Sequence, residues 1–192
     1  FDELLDRIRE IRTSERRYYQ KITDIYAECS SDYDPQSEIT RTFYKTVQNM
    51  MHYAVTHQTA AEIIYERADA EKPQMGLLTW KNAPNGRVIK SDVTIAKNYL
   101  SEKEVTQLNL LTTAYLDFAE DRALRHILMT MADWKALLEK YLQLTEYDIL
   151  PDAGRISHEE AEAKALGEYE KFRRIQDKTF LSDFDKFIDS LK

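Results

Sequence analysis

The first 29 residues carry a heptad pattern, in which apolar side chains recur at alternating spacings of three and four. The stripe consists of Phe1, Leu4, Ile8, Ile11, Tyr18, Ile22, Ile25 and Cys29, with Glu15 as its polar interruption. It predicts one long helix over residues 1–29. That helix would either lie along its own domain or form a coiled-coil linker that pairs with a second chain. The second possibility predicts a homodimer through residues 1–29.

Further helices are predicted where a capping residue precedes an apolar stripe. Ser37 would cap a helix that ends near Val55, and Thr59 would cap the next, which ends before Pro73. The inner face of the first of these would consist of Ile39, Phe43, Val47, Met50 and Met51.

The second half of the chain has the same pattern, apart from a loop at Pro151 and Gly154. Ser91 opens a short helical stretch, SDVTIAKNYL. Capping pairs then predict the starts of three longer helices, at Ser101–Glu104, Thr130–Asp133 and Ser157–Glu160. Their apolar faces would include Leu108, Leu111, Tyr115, Leu116 and Phe118; Trp134, Leu137, Leu138, Tyr141 and Leu142; and Ala165, Tyr169, Phe172 and Ile175.

Residues 72–90 interrupt the helical pattern. Asn85-Gly86 favours a tight turn between the apolar stretches Leu77–Trp80 and Val88–Ile89, which predicts either one small β-hairpin near residues 77–90 or an ordered loop. Because glycine and proline are scarce, at four each, we expect long helices elsewhere. The predicted fold is mainly α, a helical bundle of six to eight helices. Residues 1–29 would be a linker or dimerisation helix and residues 30–192 a helical domain.

Composition excludes several classes of protein. With 43% hydrophobic and 32% charged residues, the chain does not resemble a disordered tail. No apolar run approaches the roughly 18–20 residues that span a bilayer. The single cysteine, Cys29, cannot form an internal disulfide, which favours a cytoplasmic location. Because the chain begins at Phe1, we expect further sequence upstream.

Charge is unevenly distributed along the chain. The net charge of −7 argues against general attraction to nucleic acid or anionic lipid. Residues 72–97 nevertheless carry five basic residues against a single acid, Asp92. An acidic chain therefore contains one basic segment.

This segment and the residues before it hold the candidate binding residues. An imidazole, a predicted helix N-terminus, several cations and an indole would together suit a phosphate or a nucleobase. The candidates are His57, Thr59, Arg67, Lys72, Trp80, Lys81, Arg87, Lys90 and Lys97. A helix cap, solvated surface charge and a loop core would use the same residues, so the structural explanation also stays open.

No catalytic residue, metal or cofactor is predicted. The chain lacks the glycine-rich phosphate loops, the His-Glu-x-x-His motif and the Gly-x-Ser-x-Gly motif. His52 and His57 lie about 140° apart around a helix, so they do not face one metal position. Glu62 and Glu66 share a helix face, but carboxylates at that spacing are common on helix surfaces.

Two long stretches resemble the C-terminal region of the RhuM family of bacterial virulence-associated proteins. They are FDELLDRIREIRTSERRYYQKITDIYA and HQTAAEIIYERADAEKPQMGLLTWKNAPNGRVIKSDVTIAKNYL, and the resemblance continues to the FDKFIDSLK tail. It implies an upstream winged-helix-like segment that binds DNA. Some relatives resemble fusions to a Fic domain, but neither His57 nor His126 is followed by that domain's motif. The resemblance supplies no catalytic residues.

The favoured interpretation is the C-terminal oligomerisation and sensing module of a DNA-binding regulator. DNA would be bound through the upstream segment, with no role for a membrane. The alternative is an effector enzyme that handles nucleotides or phosphates, with its site around His57–Lys97. A third possibility is direct nucleic-acid binding by residues 72–97, which would be sensitive to salt.

Overall fold

The computed structural model describes residues 26–27 and 30–179. Between Ser30 and Thr179 it contains five α-helices, which are α1 (Glu38–Thr56), α2 (Ala60–Arg67), α3 (Glu102–Leu124), α4 (Met131–Leu144) and α5 (His158–Thr179). Two 3₁₀ segments, Pro73–Gly76 and Ala96–Tyr99, lie between α2 and α3. The mainly α fold class is confirmed. The long helix over residues 1–29 lies almost wholly outside the described residues, so it stays a prediction, as does the total of six to eight helices.

Local capping chemistry sets the start of three helices as the sequence predicted. The Ser37 hydroxyl accepts a hydrogen bond from the Thr40 backbone N–H at 3.2 Å before α1. Thr130 and Asp133 form a reciprocal capping box at the start of α4. Ser157 and Glu160 form the equivalent pair before α5, with N–H to side-chain oxygen distances of 2.9 and 3.1 Å. Each pair satisfies backbone donors that a helix start leaves without a partner.

The described residues fall into two compact units. Unit 1 combines the described residues up to Thr59 with Glu102–Gly154, and in it α1 packs against α3 and α4. Its core is unusually aromatic. The Tyr26 hydroxyl lies 2.9 Å from the Tyr115 hydroxyl, and the Tyr26 ring centroid is 4.9 Å from that of Trp134. All three side chains are fully buried, and the Trp134 indole N–H donates to Ser30 Oγ at 2.8 Å.

Unit 2 combines Ala60–Ser101 with the described residues from Arg155 onward. Here α2 packs against α5 and against the Ala96–Tyr99 segment. Much of its core comes from loop residues, because Met75, Leu77, Val88 and Val93 are all buried. This unit therefore depends on how its loops are held, and not on helix packing alone.

The predicted β-hairpin is wrong, because residues 77–90 form turns and contain no strand. The Gly86 N–H donates to the Asn82 carbonyl at 2.7 Å, so the chain turns back on itself before a second strand could pair. Val88 pairs with a side chain of α5 instead. The helix predicted for SDVTIAKNYL is likewise a run of turns that ends in the Ala96–Tyr99 segment.

Three residues assigned to inner helix faces are exposed. Ile39, Phe118 and Ile175 have 67%, 41% and 51% of their surface accessible. Each lies at the margin of its apolar stripe, where a helix turns from its packed face toward solvent. The central residues of the stripes, such as Val47, Leu111 and Leu138, are buried as predicted.

Candidate functional site

The nine candidate residues all lie in the described part of the chain and are divided between its two units. His57 and Thr59 belong to unit 1 and the other seven to unit 2. His57 ends α1 in a left-handed conformation, and its Nδ1 lies 3.3 Å from Asp148 Oδ2 on the exposed surface. Thr59 is 1% exposed, so its side chain belongs to the packing and offers no surface to a ligand.

Two of the candidate cations are engaged within unit 2. Arg67 Nη1 donates to the Tyr99 carbonyl at 3.0 Å, which connects the end of α2 to the Ala96–Tyr99 segment. Arg87 forms an ion pair with Asp177 of α5. A guanidinium held in this way fixes a loop to a helix, and an anionic ligand would have to compete with its present partner.

The remaining lysines differ in exposure and do not line one cleft. Lys81 and Lys90 are exposed, whereas Lys97 is half-buried in the Ala96–Tyr99 segment. Lys90 borders a shallow depression of about 470 Å³ that also includes Glu162. Part of the positive charge of residues 72–97 is compensated by acidic side chains, because Lys72 pairs with Asp69 and Arg87 with Asp177.

Lys72 and Trp80, in contrast, line the same cleft. The unit 2 cleft has a volume of about 490 Å³, which is within the range of small-molecule sites. Two loops and one helix form it. Its lining residues are Ala70, Glu71, Lys72, Pro73 and Gln74 from one loop; Trp80, Pro84, Asn85, Gly86 and Val88 from the other; and Phe172, Ile175 and Gln176 from α5.

The first wall, residues 70–74, is fixed at both ends. Glu168 Oε2 of α5 accepts a hydrogen bond from the Ala70 backbone N–H at 2.9 Å. Gln74, Met75 and Gly76 then adopt three successive left-handed conformations, with φ of 47°, 62° and 82°. A Cβ at Gly76 would lie 2.3 Å from the Arg67 carbonyl oxygen, so the loop packs directly on the end of α2. A side chain could not be accommodated there.

The second wall, residues 80–88, is fixed by two different side chains. The Trp80 indole N–H donates to the Gly86 carbonyl at 2.8 Å, which closes the loop on itself. Gln176 of α5 makes two hydrogen bonds to Val88, because its Oε1 accepts from the Val88 N–H at 2.9 Å and its Nε2 donates to the Val88 carbonyl at 3.1 Å. These bonds are buried, which makes the connection costly to break.

The residues of α5 that form the cleft are spaced by one helical turn. Glu168, Phe172 and Gln176 recur every four residues and so lie on one face of the helix. Glu168 binds the first wall and Gln176 binds the second. Phe172, midway between them in the sequence, lines the cleft. One helix face therefore positions both loops and supplies the cleft's apolar base.

Electrostatics reinforce the connection to the first wall. Hydrogen bonds from Lys171 and from the Ala70 N–H lower the pKa of Glu168 below its usual range. The same contact with Glu168 raises the pKa of Lys171. Glu168 is 18% exposed, so its ionised form is favoured in the folded protein by partly buried contacts.

The sequence did not indicate the residues that organise this site. In the sequence Glu168 and Gln176 look like surface positions of an amphipathic helix. Their hydrogen-bond partners lie 98 and 88 residues away, so no local pattern reveals them. Asp92 looked like one acid among cations, yet it is 3% exposed. Its two carboxylate oxygens accept from the Lys81 N–H at 3.1 Å and the Ile89 N–H at 2.8 Å, which connects the two ends of residues 81–92.

Within the described residues there is no cluster of three or more His, Cys, Asp or Glu side chains that could hold a metal ion. Among those same residues no helix is long and apolar enough to cross a bilayer. The cleft's lining contains one carboxylate, Glu71, and one amine, Lys72, but no serine, cysteine or histidine.

Comparison with known protein families gives a match. The family model of the Virulence protein RhuM family matches residues 1–180, which is most of the chain. No curated protein and no solved structure matches the chain.

Proposed function

We propose that this chain, which belongs to the RhuM family of virulence proteins, is a sensing module whose unit 2 cleft binds a small molecule. The observation that carries the proposal is the way the cleft is held. Two loops that are distant from α5 in sequence are each hydrogen-bonded to it by one side chain, Glu168 or Gln176. Such fixation lowers the entropic cost of ordering a site when ligand binds.

Recognition suits this cleft better than catalysis. Its lining combines the apolar side chains of Trp80, Phe172, Pro73 and Pro84 with five polar ones, those of Glu71, Lys72, Gln74, Asn85 and Gln176. Aromatic and apolar walls with polar groups placed among them are typical of small-molecule sites. The effector-enzyme alternative has less support, because seven of the nine candidate residues do not line the cleft.

The sensing module would act within a DNA-binding regulator. The family resemblance motivates the regulator, with DNA bound by a segment upstream of these residues. The heptad stripe of residues 1–29 motivates assembly as a homodimer. In this scheme ligand binding in unit 2 would bias how the module assembles, and assembly would bias DNA binding.

A fragment screen by NMR tests ligand binding. Chemically diverse small molecules would be added to the ¹⁵N-labelled chain, and the amides of residues 70–74 and 80–88 would be followed. We expect one or more chemical classes to shift these amides together while the amides of α1 stay in place. If no compound at millimolar concentration shifts the cleft amides, the sensing proposal is wrong.

Light scattering tests assembly, and the structure dictates how. Removing all of residues 1–29 would delete Tyr26, which is fully buried in the core of unit 1. The double substitution Ile8→Glu with Ile11→Glu places charges on the heptad stripe and leaves Tyr26 intact. We expect a dimer that becomes monomeric in this variant. Arg9→Glu with Arg16→Glu, at heptad b positions away from the stripe, is the control and should stay dimeric.

A further inference from the structure

We infer that the ligand of the unit 2 cleft is a planar heterocycle of the nucleobase class, stacked on Trp80 and recognised at its edge by side-chain amides. This inference rests on the proposed sensing function and names the ligand class. It follows from four features of the lining, which are the state of the indole, the placement of two amides, the backbone of the first wall and the charge.

The state of the Trp80 indole makes it suitable for stacking. Its N–H is already satisfied by the Gly86 carbonyl at 2.8 Å, within its own loop. The hydrogen bond fixes the edge of the half-buried ring, and what the ring still offers to a ligand is its π-surface. Indole faces stack on nucleobases whatever the base, because every base has a π-face.

Two amides supply the edge recognition. Gln74 lines the first wall and Asn85 the second, and both side chains are exposed. Neither side-chain amide forms a hydrogen bond with any part of the chain that the structure describes. An amide presents a donor and an acceptor side by side, which matches the paired acceptor and donor on the edge of adenine and similar heterocycles. Gln176, the third amide of the lining, already binds Val88.

The backbone conformation that presents Gln74 is an uncommon one. Gln74 and Met75 both have positive φ, and Met75 is fully buried beneath the loop. Non-glycine residues in this region cost energy, and such conformations concentrate at ligand sites. Burial of Met75 and the close contact of Gly76 with Arg67 hold the conformation in place. This backbone conformation therefore places Gln74 in the lining of the cleft.

Charge indicates that a phosphate would contribute less than the base. Lys72 Nζ is 3.8 Å from Asp69 Oδ2, and the side chain is half exposed. Glu71 in the same lining carries the opposite charge. One cation beside two carboxylates gives weak net attraction for an anion. Nucleosides and their monophosphates should therefore bind with affinities within about tenfold of each other.

The two tryptophans provide an internal readout for the test. Each indole N–H gives one signal in an ¹⁵N correlation spectrum, and Trp80→Phe assigns them by removing one. Adenosine, guanosine, cytidine and uridine, and then their 5′-monophosphates, would be titrated into the full chain. For one or more bases we expect the Trp80 signal to shift with a Kd on the order of 0.1–1 mM, while the buried Trp134 signal stays in place.

Substitutions separate stacking from edge recognition. Trp80→Leu should weaken binding of every base about tenfold or more. Because this variant has no indole signal at position 80, the backbone amides of residues 70–74 and 80–88 are followed in the titration. Gln74→Ala and Asn85→Ala should change the order of preference among the bases, because they remove hydrogen bonds and not the stacking surface. Lys72→Ala should affect the monophosphates alone. Gln143→Ala, on the exposed surface of α4, is the control and should leave all affinities unchanged.

The outcomes distinguish this inference from the proposal on which it rests. If none of the eight compounds shifts the Trp80 signal at 10 mM while other fragments shift the cleft amides, the nucleobase inference is wrong and the sensing function stands. If Trp80→Leu binds the bases as tightly as the natural chain, the inference is also wrong. If neither bases nor fragments shift these amides, both are wrong.

Discussion

The two tryptophans of this chain make the same kind of hydrogen bond in opposite surroundings. Trp134 in unit 1 donates to Ser30 Oγ at 2.8 Å, and Trp80 in unit 2 donates to the Gly86 carbonyl at 2.8 Å. Trp134 is fully buried and its ring packs on that of Tyr26. Trp80 is half-buried and lines a cleft. The comparison shows that a satisfied indole N–H does not distinguish a core residue from a site residue, whereas the surroundings of the ring do.

The same contrast extends to the units around them. In unit 1 buried aromatic rings contact each other directly, and most of the buried side chains belong to helices. In unit 2 the loops are part of the core and are held to α5 by individual polar side chains. A core of packed rings responds to lost volume, whereas a loop-built unit responds to lost hydrogen bonds.

The largest expected effect is at Trp134. Trp134→Ala removes a fully buried ring, and we expect the free energy of unfolding to fall by about 3–5 kcal/mol. Trp80→Ala should cost about 1 kcal/mol, because that ring is already partly solvated. Denaturant unfolding followed by circular dichroism measures both. If the Trp134 variant does not fold, Trp134→Phe should still cost more than Trp80→Phe, and equal costs would contradict the comparison.

Gly76 is the next most sensitive position. Gly76→Ala would place a methyl group 2.3 Å from the Arg67 carbonyl oxygen at a φ of +82°, so we expect a loss of about 3 kcal/mol. Gly167→Ala is the matched control, since Gly167 lies within α5 and a Cβ there meets nothing within 4 Å. Replacing a helical glycine should stabilise by about 0.5–1 kcal/mol. Thermal unfolding of both variants should therefore shift in opposite directions.

Gln176 tests whether one side chain holds the second wall. Gln176→Ala leaves the buried N–H and carbonyl of Val88 without their partner, and we expect a loss of about 2 kcal/mol. Hydrogen exchange of the Val88 amide should accelerate far more than that of α1. Gln143→Ala, at an exposed position of α4, removes the same group and should change stability by less than about 0.5 kcal/mol. Unchanged exchange at Val88 would show that other contacts hold the loop.

The helices could be predicted because their signals are local. Ser37, Thr130 with Asp133, and Ser157 with Glu160 each cap a helix through residues three positions apart. The stripe centres were also correct, because burial of a helix face follows from its period. Residues at the stripe margins, such as Ile39, could not be assigned, because what packs beside a helix is not encoded in its own period.

The cleft could not be predicted because its determinants are distant in sequence. Asn85-Gly86 is a hairpin signal in isolation, yet Val88 pairs with Gln176, 88 residues away. The positive charge of residues 72–97 indicated a stretch of chain that does line the cleft, but charge is not what most of its lining residues contribute. Of its five cations only Lys72 lines the cleft, together with its tryptophan and two of its amides.

The smallest expected effect concerns the first wall and its dependence on pH. The pKa of Glu168 is lowered, chiefly by the hydrogen bond from Lys171 and then by that from the Ala70 N–H. A carboxyl group with a lowered pKa stabilises the folded state at pH values above its unfolded pKa of 4.5, and the stabilisation is lost as pH falls through the folded pKa.

Glu168→Gln keeps an acceptor for Ala70 but removes the charge. We expect it to cost about 1 kcal/mol at pH 7, and we expect its stability to approach that of the natural chain as pH falls through the folded pKa of Glu168. Glu170→Gln removes the same charge from an exposed pair, 3.6 Å from Arg173, and should cost less than about 0.5 kcal/mol at pH 7. Parallel pH curves for Glu168→Gln and the natural chain would show that the first wall is held by packing, as in unit 1, and not by this carboxylate.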